Sequence, residues 1–104
     1  MKLPKSINIL GQDLQVIEGP LDRMYGCYDY IQKCIFIDTE VHKKWNEDIQ
    51  ATFIHEMIHA VSKRVGLNQS IDRDIEEIIC ESIANSITDN FILVPKVKPK
   101  SKNK

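Results

Sequence analysis

The chain has 104 residues, 42% of them hydrophobic and 28% charged, with a formal net charge of −1, and that length supports one domain with a modest core but no separate substrate-binding lobe. Lys96, Lys98, Lys100, Lys102 and Lys104 contribute +5, which leaves −6 on residues 1–95, so the folded part offers nucleic acid no obvious docking surface.

In chain order, strands come first and helices follow. Ser6 to Leu10 and Leu14 to Glu18 are β-prone runs around Gly11-Gln12-Asp13, and Gly19-Pro20 ends the second. Met24 to Tyr30 and Cys34 to Asp38 form another aromatic and β-branched pair, with Ile31-Gln32-Lys33 as the turn. This predicts an α+β fold with a small, mainly antiparallel sheet of three or four strands. Asp38-Thr39 offers an N-cap, and Val41 to Asn46 reads as a short helical turn or a loop. A long helix then spans residues 47–65, closed by Gly66, and a second spans residues 71–91, capped by Ser70 or Asp72. Residues 1–93 are expected to form the domain, and the lysine-rich segment 94–104 a disordered tail.

No segment approaches the ~20 apolar residues of a membrane span, and Met1-Lys2-Leu3-Pro4-Lys5 leads into no secretory apolar core. The expectation is a cytoplasmic protein with no membrane partner. Cys27 and Cys34 can be drawn facing each other across a hairpin, but the odd count of 3 favours reduced thiols. A Cys-rich zinc site is disfavoured because Cys27, Cys34 and Cys80 lack C-x-x-C pairing.

The first long helix carries His55-Glu56-Met57-Ile58-His59, an H-E-x-x-H motif. Residues four apart lie about 40° apart on a helix, so His55 and His59 can aim two ring nitrogens at one ion, each about 2.0–2.1 Å away. Glu56, one step round, stands beside such an ion as a general base. The plain alternative is a pair of surface histidines on an amphipathic helix. Against it, the motif is embedded in Thr52-Phe53-Ile54 and Ala60-Val61, with Ile54, Ile58, Val61 and Val65 as a core stripe.

A hydrolytic zinc site takes three protein ligands and an exchangeable water, so the second helix must supply a third donor. Asp74, Glu77, Glu81 and Asn85 project from one side of it. Glu81, between Cys80 and the apolar Ile78 and Ala84, is the preferred ligand, because an unpaired buried carboxylate there is costly. Glu77 is the runner-up, wetter by its neighbour Glu76. A solvated face with no ligand is the remaining option. The stripe Ile75, Ile79, Ile83 and Ile87 lies nearly opposite Glu81, so the helix is buried on two sides or meets a second copy of the chain.

Taken together, Gly26-Cys27-Tyr28-Asp29, Cys34-Ile35-Phe36-Ile37-Asp38, the segment Thr52 to Ala60 and Glu81-Ser82-Ile83-Ala84-Asn85 resemble the small gluzincin metallopeptidases, especially the ImmA/IrrE-like family of phages and mobile elements. The resemblance covers about residues 24–93. It implies a minimal zincin in which His55, His59 and Glu81 hold Zn²⁺, Glu56 is the catalytic base, and Asn85 orients a ligand histidine through its far ring nitrogen. It implies a protein or peptide substrate, added to a sheet edge at the Cys34–Asp38 strand and cleaved by metal-activated water.

Larger gluzincins supply a His or Tyr after the third ligand to stabilise the oxyanion, and neither follows His59 here. Tyr25, Tyr28, Tyr30 and His42 are the substitutes at hand. A catalytically weak or inactive zinc domain serving partner recognition or regulation is therefore the alternative function, and a metal-free helical interaction domain built on the isoleucine stripe is a third.

Overall fold

A computed structural model, which describes residues 1–96, orders the chain as β1 (Ser6–Ile9), β2 (Gln12–Glu18), β3 (Gly26–Asp29), β4 (Cys34–Ile37), α1 (Thr39–Trp45), α2 (Ile49–Val65), a 3-10 turn (Leu67–Gln69) and α3 (Arg73–Asn90). The expected α+β zincin-like order of a small sheet followed by the H-E-x-x-H helix and a glutamate-bearing helix is present. The lysine-rich tail falls largely on residues 97–104, outside the described residues.

Each hairpin has a local cause. Leu10 and Gly11 turn at φ 51° and 89°, the double positive-φ geometry that suits the right-handed twist of a two-residue hairpin. The Asn8 side chain braces that turn, accepting from the Gly11 N–H at 2.9 Å and donating to Asp13 at 3.0 Å. The second hairpin turns where Asp29 accepts from the N–H groups of Ile31 and Gln32, both at 3.0 Å.

Sheet order is β1-β2-β4-β3, antiparallel at both outer pairings and parallel where β2 meets β4. β4 is therefore internal, which corrects the expectation that the Cys34–Asp38 strand is an open edge. The physical reason is legible in Cys34-Ile35-Phe36-Ile37: an unbroken apolar run suits a strand with neighbours on both sides. The free edge on that side is β3. Cys27 lies opposite Phe36 and Cys34 opposite Asp29, so these two cysteines do not face each other, and all three cysteines are free thiols.

One face of the sheet is covered by α2. Ile9, Leu14, Ile35 and Ile37 pack with Phe53 and Ala60 in the core, joined at its margin by Ile49 and Met57. The face of α2 that meets the sheet thus runs through residues 49, 53, 57 and 60. The stripe expected at Ile54, Ile58, Val61 and Val65 is only part of the core: Ile54 is buried, whereas Val61 and Val65 are 38% and 60% exposed.

α3 packs on the far side of α2 and makes no substantial contact with the sheet. It therefore buries a single narrow stripe, Cys80 and Ala84. Ile75, Ile78 and Ile83 stay exposed, so α3 is not buried on two sides within one chain. No helix among the described residues is long and apolar enough to cross a membrane.

α1 is a true helix of 7 residues. Asp38 caps it by accepting from the Val41 N–H at 3.0 Å and also holds the Leu21 N–H at 2.9 Å. His42 is 1% exposed and ties α1 to α2. Its Nδ1 lies 2.6 Å from the Asp38 carbonyl oxygen, which can only accept, so Nδ1 carries the proton and Nε2 accepts from the Thr52 hydroxyl at 2.7 Å.

Candidate metal centre

Asp48 caps α2 by accepting from the Gln50 N–H at 2.8 Å, and Gly66 ends it at φ 80°. Between those limits an unbroken helix sets His55 and His59 one turn apart, with their Nε2 atoms 3.2 Å from each other. The connection from Gly66 to Asp72 is short, so α3 returns antiparallel in a register tied by Ser62, whose hydroxyl donates to Glu76 at 3.0 Å. Further along, Gln50 reaches Thr88 at 3.3 Å and the Phe91 carbonyl at 2.9 Å.

That register brings Glu77 onto the two imidazoles. Its carboxylate oxygens lie 3.2 Å from His55 Nε2 and 2.8 Å from His59 Nε2. Donors held at 2.0–2.1 Å around a tetrahedral ion stand about 3.3 Å apart, and the two Nε2 atoms stand at that separation with one Glu77 oxygen nearest each ring, Oε2 to His55 and Oε1 to His59. These three residues also form a group whose ligand atoms all fall within 4.8 Å of one another. Two neutral imidazoles and a carboxylate are a borderline-hard donor set that suits zinc.

Glu81 occupies a different position. Its carboxylate faces the opposite ring nitrogen of His55, Nδ1, at 3.4 Å, and its side chain is 61% exposed rather than partly buried. Asn85 donates to Glu81 at 3.1 Å, so it reaches His55 only through Glu81, and the direct contact with the ring is made by Glu81. Relative to the sequence reading, the acidic line is shifted by one helical turn. A short loop sets this register, and helical periodicity carries no information about it.

Glu76 and Ser62 escaped the sequence reading. Glu76 is 12% exposed, receives the Ser62 hydroxyl and lies 3.4 Å from His59 Nδ1. Each imidazole thus has a carboxylate behind it, the arrangement that fixes ring orientation and raises ligand basicity. The available signal was Ser62, seven residues beyond His55 and three beyond His59, a small hydroxyl on the histidine line itself.

Glu56 is 9% exposed and faces the sheet edge at Gly26. Burial pushes its carboxyl up to about 7; His55 pulls it down, while Glu77 and Glu81 push it up further. A Cβ on Gly26 would come within 2.7 Å of Thr52 and 3.3 Å of Glu56, so only glycine lets β3 lie this close to α2. Burial, followed by the charges of Glu76, Glu77 and Glu56, pushes the Cys80 thiol up to about 12, so in the metal-free protein it stays protonated.

Two clefts meet at Gly26, His55 and Glu56. One, of about 600 Å³, adds His59, Glu77, Tyr28 and Tyr30, and the other, of about 500 Å³, adds Tyr25 and Glu81. Among the residues considered for oxyanion stabilisation, His42 is excluded because both ring nitrogens are already bonded. Tyr25 packs edge-on against that ring at 5.0 Å.

No protein-family model matches the chain, and no curated protein or solved structure matches it either. Fold and cluster together define a minimal gluzincin-like arrangement: a four-stranded sheet, an H-E-x-x-H helix and a glutamate helix that close a His/His/Glu triangle.

Proposed function

We propose that the protein is a zinc-dependent endopeptidase of the gluzincin type, akin to the ImmA/IrrE-like peptidases of phages and mobile elements, acting in the cytoplasm through the domain at residues 1–93. The observation that carries this reading is the cluster of two Nε2 atoms 3.2 Å apart, each with a Glu77 oxygen at 3.2 or 2.8 Å, beside the buried Glu56 in an open cleft. Four carboxylates crowd these imidazoles, and a divalent cation offsets that charge. His55, His59 and Glu77 are the ligands in this reading, while Glu81 and Glu76 receive the Nδ1 protons that nitrogen ligation through Nε2 requires.

A zinc ion held there supplies Lewis acidity to the scissile carbonyl and makes water a stronger acid. Glu56, buried beside His55 at the mouth of both clefts, takes the proton of the attacking water and returns it to the leaving amine. The substrate backbone pairs with β3. Tyr25 already accepts from the Asp38 N–H, so by alternation Gly26 and Tyr28 turn their N–H and C=O groups away from β4; the Tyr28 N–H is directed at the Glu56 carboxylate, which leaves both groups of Gly26 and the Tyr28 carbonyl for a substrate backbone.

Glu56→Gln is expected to retain one zinc per chain and lose peptide hydrolysis. Metal analysis alongside a cleavage assay on a mixed peptide library checks this, and equal cleavage by both proteins would refute the base assignment. For the ligands, Glu77→Gln is expected to abolish stoichiometric zinc, whereas Glu81→Gln weakens affinity by about 10–100-fold, the usual effect of losing a carboxylate behind a ligand histidine. Competitive chelator titration separates the two, and the reverse ranking would restore Glu81 as the ligand.

The committed His42 favours a second reading, in which the zinc site is catalytically weak and serves partner recognition. Stoichiometric zinc without any Glu56-dependent cleavage would select it.

A further inference from the structure

Lys63 continues the line of His55 and His59 by one more turn of α2, so it stands on the cleft wall just beyond the second histidine. Its ammonium sits 4.2 Å from the centre of the Tyr30 ring, on the opposite wall. Arg73, at the start of α3, lines the same cleft. Glu76 and Glu77 line it too, but both face the histidines, and among the described residues neither Lys63 nor Arg73 has an ion-pair partner. Two unneutralised cations thus border one half of the groove. The other half is lined by Glu47, Asp48, Glu81 and Asp89, with no lysine or arginine.

Resting on the peptidase reading, we propose that Lys63 and Arg73 determine specificity: they select an acidic side chain on the N-terminal side of the scissile bond, while the carboxylate-lined half rejects one on the C-terminal side. Direction follows from β3. At its start β3 has Gly26 against Thr52, beside the carboxylate-lined half, and just past its end Tyr30 lies under Lys63, so the strand runs from the acidic half toward the basic one, with Met24 also reaching the Lys63 cleft. A peptide paired antiparallel to β3, the more stable pairing, lays its N-terminal half against Tyr30 and Lys63. An acidic side chain there replaces the weak ring contact of Lys63 with a carboxylate partner inside a partly desolvated cleft. On the other side it meets like charge, which is how a groove discriminates against the wrong orientation.

The test uses three fluorescein-labelled decapeptides of alanine and phenylalanine, with a glutamate pair in the N-terminal half, a glutamate pair in the C-terminal half, or a glutamine pair as control. Binding is read by anisotropy on the Glu56→Gln full chain, with zinc and without it, so no turnover is needed. The N-terminal glutamate peptide is expected to bind about tenfold tighter than the control and the C-terminal one more weakly. Lys63→Glu is expected to erase or reverse the preference, and Arg73→Gln to reduce it, in proteins whose circular dichroism matches the parent. High salt compresses the difference. Equal binding of the three peptides, a preference unchanged in Lys63→Glu, or tighter binding of the C-terminal glutamate peptide would each overturn the proposal. Zinc content on the same samples keeps the two ideas apart: protein that takes up no zinc defeats the peptidase reading, and loaded protein without charge preference defeats this one alone.

Discussion

Glu56 has two roles that pull in opposite directions. Its position against Gly26 and Thr52 removes it from water, and burial favours the neutral acid. Because its folded pKa of about 7 lies above the ordinary 4.5, the metal-free folded state keeps a proton in that interval that the unfolded chain has released. Stability is then greatest below pH 4.5 as far as this group is concerned, and falls as pH rises through 7. Metal-free wild type is expected to lose about 2–3 kcal/mol between the two limits, and Glu56→Gln to lose little, as read from urea titrations across pH. Asp38 works in a separate window. Hydrogen bonds from Leu21 and Val41 hold its carboxyl below the ordinary 3.8, so its contribution is present above that value and fades only as pH falls further.

At the level of elements, the site depends on how closely β3 approaches α2. Gly26 permits that approach, and the buried His42 bridge from Asp38 to Thr52 holds α1 and α2 together one turn before Glu56. Gly26→Ala forces a methyl against the Thr52 side chain and the Glu56 stem, and is expected to cost about 1–3 kcal/mol. Its signature is the combination of a lower denaturation midpoint with unchanged zinc stoichiometry, since the added methyl meets Thr52, Ile37 and Glu56 rather than His55, His59 or Glu77. Full stability in Gly26→Ala would show that β3 can shift outward without loss.

For the whole molecule, α3 is the exposed layer. It rests chiefly on α2 and leaves Ile75 and Ile83 at 45% and 43% exposure, with Ile78 at 65%. An apolar face of this kind on a small domain commonly marks an interface. Self-association through the isoleucine face is the proposal here. Sedimentation is expected to show a dimer that Ile75→Ser/Ile83→Ser converts to monomer with the fold retained, and a wild-type monomer at all concentrations would remove the idea.

The readability of this chain follows from the range of its signals. H-E-x-x-H on a helix, the Asp38 and Asp72 caps, Gly66 at the helix end and the two hairpins all depend on contacts within a few residues, and each appears in the fold near its expected place, whereas the Asp48 cap of α2 emerges only in the structure. The internal position of β4, against the edge expected of the Cys34–Asp38 strand, comes from its parallel pairing with β2, a contact between segments far apart in the chain, although the unbroken apolar run of Cys34 to Ile37 is compatible with it. Glu77 rather than Glu81 facing both Nε2 atoms was not legible, because two glutamates one turn apart are equivalent on a helical wheel. Only the height at which α3 docks on α2 distinguishes them, and that height comes from the Gly66–Asp72 connection, the Ser62–Glu76 bond and the buried Cys80 and Ala84 acting together. Local chemistry is written residue by residue, whereas register between packed helices is a property of the surfaces that meet.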